Sequence, residues 1–250
     1  MRQSLLSVFA LLLLATPAAG ERLVLDDEAL PGTGRYERCL NLADRNPRGG
    51  YEAAQAWQTD GGGAPAAHCA ALALVGLKRY PEAAARLDAL GRDPSAGDLV
   101  MRAQIMDQAG NAWLLAGKGD NATASFSRAL SYSINDPEIL ADRAQARALN
   151  RAWKGADADL SSALATQPNR ADLLVLRASA RHAMGMRVQA RGDLDRALTL
   201  RPGYADALLE RGTMRFETGD TAGARADWQQ ASASNTQAGR EARERLESMK

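Results

Sequence analysis

LSSALATQP at residues 160–168 and LDRALTLRP at residues 194–202 share the skeleton L-x-x-A-L-x-x-x-P at a separation of 34 residues. The register extends outward from both. Alanines recur at Ala122, Ala156, Ala190 and Ala224, and a large apolar residue follows four positions later at Phe126, Leu160, Leu194 and Trp228. A further alanine column runs through Ala129, Ala163, Ala197 and Ala231, and upstream a column of small residues holds Gly110, Ala144, Ala178 and Gly212. Within a unit the spacing is helical: Ala156, Leu160 and Ala163 stand at i, i+4 and i+7, as do Leu140, Ala144 and Arg147, which puts each set on one stripe of a helix. Turn signals separate the two stripes, LNRAWKG in one unit and MGMR and TGDT in the next two. Each unit is therefore a pair of helices joined by a tight turn. A lone pair cannot bury its apolar face, so the pairs must stack.

On these columns and this period the chain resembles the tetratricopeptide-repeat family, most clearly from Ala103 to Ala238. The resemblance implies an all-α, right-handed superhelical solenoid of antiparallel helix pairs. Regular units are expected at 103–136, 137–170, 171–204 and 205–238. Degenerate units are expected at 36–63 and 64–102, the first with its opening helix shortened by NPRGG and followed by a flexible glycine loop at 61–63, the second followed by about five extra residues near GRDPSAG. Residues 239–250, apolar on one face at Ala242, Leu246 and Met249, are read as a capping helix.

Residues 1–20 combine Arg2, an apolar run from Leu5 to Ala15, Pro17 and small residues at Ala18 and Gly20. This is the pattern of a secretory signal peptide cleaved near Gly20, and the run is too short to span a bilayer. Residues 21–35 are then an N-terminal extension. Without the leader, acids and bases balance, which argues against nucleic acid as a partner. In an exported chain the even pair Cys39 and Cys69 is expected to form a disulfide rather than two buried thiols.

Two arginine columns run through the regular units: Arg143, Arg177 and Arg211, then Arg147, Arg181 and Arg215. Asp159, Asp193 and Asp227 follow the first column at a constant 16 residues, and the units that lack the arginine lack the aspartate. Internal pairing is therefore expected for the first column. No acid column answers the second, whose role the sequence leaves open.

No catalytic motif emerges, and neither a metal site nor a cofactor is expected. His68 and His182 fall in different units without ligand spacing, and the glycines at 61–63 precede no lysine or phosphate-binding helix start. Asn121-Ala-Thr123 is a formal glycosylation sequon. By resemblance, the first helices line a concave groove that binds an extended peptide or protein. The groove stripe is then Gln104, Asp107 and Asn111; Glu138 and Gln145; Asp172, Ser179 and His182; Asp206, Thr213 and Phe216. Its amides and hydroxyls suit a peptide backbone, and Phe216, with His182 in the same column of the unit before, is a candidate anchor. The column His68, Asp107, Ala141, Val175 and Leu209 lacks the cations of the family's carboxylate clamp. The expected function is a non-catalytic interaction scaffold in the periplasm, the alternative a structural subunit or assembly factor of a cell-envelope complex.

Overall fold

The computed structural model describes residues 33–249. The expected leader at 1–20 and the extension up to residue 32 lie outside the described residues. Those that are described form thirteen α-helices and no strand. They group into two compact units that divide at Ala146 and Arg147.

The first unit holds α1 (Thr33–Arg45), α2 (Pro47–Thr59), α3 (Gly63–Gly76), α4 (Tyr80–Arg92), α5 (Leu99–Leu115), α6 (Gly119–Tyr132) and α7 (Pro137–Leu149) up to its last turn. The second holds α8 (Trp153–Thr166), α9 (Ala171–Ala183), α10 (Arg187–Leu200), α11 (Ala205–Glu217), α12 (Thr221–Ser232) and α13 (Gln237–Glu247). Alanine and leucine carry these helices because they lose little on becoming helical and pack closely. A left-handed residue recurs in the tight turns at Gly117, Arg151, Gly185 and Gly219, 34 residues apart each time. Positive φ there aims the second helix back along the first, and glycine takes that conformation without a Cβ penalty in three of the four turns. Lys78 serves the same purpose between α3 and α4. The shift in register between Lys78 and Gly117 is absorbed by a short 3-10 turn, Pro94–Ala96, where extra residues were expected.

The first pair differs from expectation. α1 has the usual 13 residues and is not shortened. NPRGG instead opens α2: Asn46 caps it by accepting from the Gly49 amide at 3.2 Å, Pro47 sits at its start, and both glycines lie inside it. Gly50 is required because a Cβ there would stand 2.4 Å from the Ala43 backbone. The glycines at 61–63 make a tight turn with positive φ at Gly61 and Gly63, and α3 begins at Gly63.

The core is the set of columns read from the sequence. Ala122, Phe126, Ala129, Ala156, Leu160, Ala163, Ala190, Leu194, Ala197, Ala224, Trp228 and Ala231 are all buried. Cys39 on α1 and Cys69 on α3 are joined as a disulfide, with Cα atoms 6.1 Å apart. They lie in a small apolar cluster with Ala43, Ala54, Trp57, Ala66, Ala70 and Ala73. At the other end α13 begins at Gln237, two residues earlier than expected, and lays Ala238 and Ala242 against Trp228 and Ala231.

Candidate interaction surface

The arginine columns are structural. The Arg177 guanidinium donates to both oxygens of Asp193, at 3.0 and 2.7 Å, and Arg211 grips Asp227 in the same way at 3.0 and 2.8 Å. Each first-column arginine also reaches 16 residues back to the preceding second helix: Arg143 to Ser127, Arg177 to Ser161, Arg211 to Asp195. The second column, which found no partner in the sequence, uses the same aspartates from one turn further along its helix. Arg147 pairs with Asp159 at 2.6 Å, Arg181 with Asp193 at 2.8 Å and Arg215 with Asp227 at 2.7 Å. Arg181 adds Asp157 at 2.7 Å. These planar cations satisfy nearly buried carboxylates between helices and do not form a basic ladder for a ligand.

In the first unit the candidate stripe lies on α5 and α7. Asn111 Nδ2 donates to Asp107 Oδ2 at 3.3 Å and, across to α7, to Asp142 Oδ2 at 3.1 Å. Gln145 Nε2 donates to Asp142 Oδ1 at 3.2 Å. Burial, followed by the charges of Asp142, Asp136 and Glu138, pushes the Asp107 carboxyl well above the usual carboxylate range. Burial also lifts Asp142 to about 6, with Glu138 and Asp136 adding to it and the Asn111 bond opposing. Gln104 is half-buried and Glu138 exposed. His68, on α3, is buried between Tyr36 of α1, which meets Nδ1, and Gln108 of α5, whose Oε1 lies 2.5 Å from Nε2. An amide oxygen can only accept, so Nε2 carries the proton and the tyrosine hydroxyl donates to Nδ1. Burial holds the imidazole below its ordinary pKa, against the pull of Gln108, and pushes Tyr36 up to about 12.

In the second unit several candidates turn inward. Ser179, His182 and Thr213 are buried, at 1%, 8% and 7% exposure. Thr213 spends its hydroxyl on the Leu209 carbonyl of its own helix, and His182 Nε2 meets Glu217 Oε2 at 2.8 Å. The expectation that these hydroxyls and this imidazole line an open groove is corrected. Asp172 is gripped by Arg170 through three contacts of 2.7 to 3.2 Å. Burial works against its ionisation, yet the Arg170 bonds and charge hold it below the ordinary value. Asp206 is raised, chiefly by burial. Phe216 is 46% exposed while its ring packs tilted on Trp228 at 5.5 Å, so it is both a surface aromatic and an extension of the core.

Two residues on these faces escaped the sequence reading, Asp142 and Glu210. Both occupy position six of the first helix, a column that also holds Gln108 and Leu176. Gln108 and Asp142 reach back to the previous first helix, to His68 and Asn111, and Glu210 lies beside Ser179. Glu210 is 4% exposed. Burial pushes its carboxyl up to about 7, helped by Glu241 and Glu217 and opposed by Ser179 and Arg245. An acid in a column that elsewhere accepts leucine was the available signal.

Known structures share this arrangement. MamA from Desulfovibrio magneticus RS-1, residues 41 to the end, superposes with a TM-score of 0.59 at 17% identity, covering 67% of this chain and 92% of its own. YrrB, described as a TPR protein with an unusual peptide-binding site, superposes at 0.58 with 18% identity, covering 73% of this chain and 98% of its own. The fold is that of tetratricopeptide-repeat proteins. A second MamA structure agrees, with a TM-score of 0.55 at 16% identity over 64% of this chain and 91% of its own. No family model matches the sequence, and no curated protein matches it. At these identities the tetratricopeptide likeness is one of fold.

Proposed function

We propose that this chain is a non-catalytic interaction module, exported to the periplasm, that binds an extended segment of another protein on the face built by its first helices. The observation that carries the reading is the α5–α7 face. There Asp107, Asn111, Asp142 and Gln145 from two successive first helices converge, partly exposed, in a polar network. The second helices supply the core columns and the aspartates that hold the arginines. The peptide-binding site named for YrrB, a structure of the same fold, supports a peptide as ligand. The leader pattern in residues 1–20 supports export, and the Cys39–Cys69 disulfide suits an oxidising compartment.

A photo-crosslinking residue at Gln104 on the first-helix face, compared with one at the exposed Arg128 on α6, tests this in periplasmic extract. Adducts from position 104 and none from 128 are expected. Adducts from 128 alone, still formed when irradiation follows a salt wash, would point instead to a permanently assembled subunit held by its second helices.

A further inference from the structure

Acceptors outnumber donors in the α5–α7 network. The amide groups of Asn111 and Gln145 donate to Asp107 and Asp142. Asp107 Oδ1 and Gln145 Oε1, both sealed from solvent, have no hydrogen-bond partner. Buried polar atoms are nearly always paired, and an orphan calls for an explanation. Neither Asp107 nor Asp142 belongs to an ion pair among the described residues, although arginines grip the carboxylates of Asp159, Asp172, Asp193 and Asp227 on other helices. The charges that raise Asp107 are those of Asp142, Asp136 and Glu138, and those that raise Asp142 are Glu138 and Asp136, all of them acids. Among the described residues, no group of three carboxylates or imidazoles is arranged to hold a metal ion. What the network lacks is a compact donor of positive charge with several N–H groups.

We infer that the partner segment is basic, and that it places a lysine or arginine side chain against Asp107 and Asp142 between α5 and α7. This rests on the reading of the first-helix face as the binding face, and names the chemistry of what binds. An ammonium or guanidinium can donate to the partly exposed part of this network and offsets the clustered negative charge. It also favours the ionised form of both carboxyls, so binding releases protons. Affinity then falls as pH drops through about 6, where Asp142 takes up its proton in the free protein.

Fluorescence anisotropy of the folded chain with three labelled peptides tests this. The peptides share one glycine–serine backbone and carry lysines, glutamates or neither. The lysine peptide should bind roughly tenfold tighter than the other two or better, and should weaken between pH 7.5 and pH 5, conditions of about one and a half pH units on the high side and one on the low side of the Asp142 midpoint. The Asp107→Asn, Asp142→Asn double variant should lose about tenfold or more of that affinity while melting no lower than the parent. An Asp44→Asn, Glu52→Gln variant, which removes the same charge from exposed positions on α1 and α2, should bind as the parent does. Equal losses in both variants would reduce the effect to general charge and overturn the site. Tighter binding of the glutamate or uncharged peptide would overturn the cationic assignment and leave peptide binding by this face standing. Binding of no peptide would overturn both.

Discussion

Asp193 accepts from Arg177 at 2.7 and 3.0 Å and from Arg181 at 2.8 Å while its side chain is only 7% exposed. Removing it leaves two partly buried cations short of an acceptor. Asp193→Ala is expected to cost roughly 3 kcal/mol or more in urea denaturation, because an uncompensated buried charge is worse than no pair. Adding Arg177→Leu should recover part of the loss, since Arg181 keeps Asp157. Losses that simply add would show that the two residues do not interact. Glu210 behaves in the opposite sense. Its carboxyl is raised to about 7 from an ordinary 4.5, so the folded state holds the proton more tightly than the unfolded chain. The stability this contributes is full below about pH 4.5 and is lost as pH rises through about 7. Glu210→Gln should therefore leave the melting temperature nearly unchanged at pH 4.5. At pH 8 it should raise stability by roughly 1–3 kcal/mol. An equal effect at both pH values would remove ionisation as the cause.

At the scale of the helix pair, size is exchanged across each turn. The small-residue column holds glycine where its partner is aromatic and alanine where it is leucine: Gly110 with Phe126, Gly212 with Trp228, but Ala178 with Leu194. A Cβ at Gly110 would stand 2.5 Å from the Phe126 ring, and one at Gly212 would stand 2.6 Å from Trp228. Close packing forces that exchange. The first pair has another means of staying folded. Its arginine–aspartate pair, Arg35 with Asp60, is exposed rather than buried, and its core is built mainly of alanines, Trp57 and the two cysteines. The disulfide ties α1 to α3 across a sequence separation of 30. By restricting the unfolded chain, a loop of that length contributes roughly 3–4 kcal/mol. The Cys39→Ser, Cys69→Ser double variant should lose about that much in urea denaturation. Reducing agent should destabilise the parent alike and leave the variant unaffected.

At the scale of the molecule, a stack of helix pairs must be closed at its ends, because the last pair has an apolar face and no successor. α13 does this for the second unit: Ala238 and Ala242 cover Trp228 and Ala231, with Leu246 and Met249 at the margin. Ending the chain at Asn235 should expose Trp228, now 1% accessible. It should red-shift tryptophan emission, lower the melting temperature and promote self-association. The columns that made this legible are those of one helix face: alanine, large apolar residue, alanine, at spacings that only a helix satisfies. The same logic set the Arg177–Asp193 and Arg211–Asp227 pairs, since a constant 16-residue offset spans one turn, whereas the disulfide was expected from the even cysteine count together with the leader pattern.

The sequence by itself determined the repeat, the helix pairs, the core columns and the first-column arginine pairs, because each repeats at a fixed interval and periodicity is a property of the chain. Only the tertiary structure decided the rest, because it depends on which atoms of different helices come within bonding distance. It gave the second arginine column the aspartates already held by the first. It buried Ser179 and His182 on α9 and Thr213 on α11, where a stripe pattern had placed them on an open face. It brought Asp142 of α7 against Asn111 of α5, which donates to it. A carboxylate on a helix reads alike whether it meets water, an arginine or another carboxylate. The neighbour that settles its charge lies on another helix, distant in sequence and within hydrogen-bond reach in space.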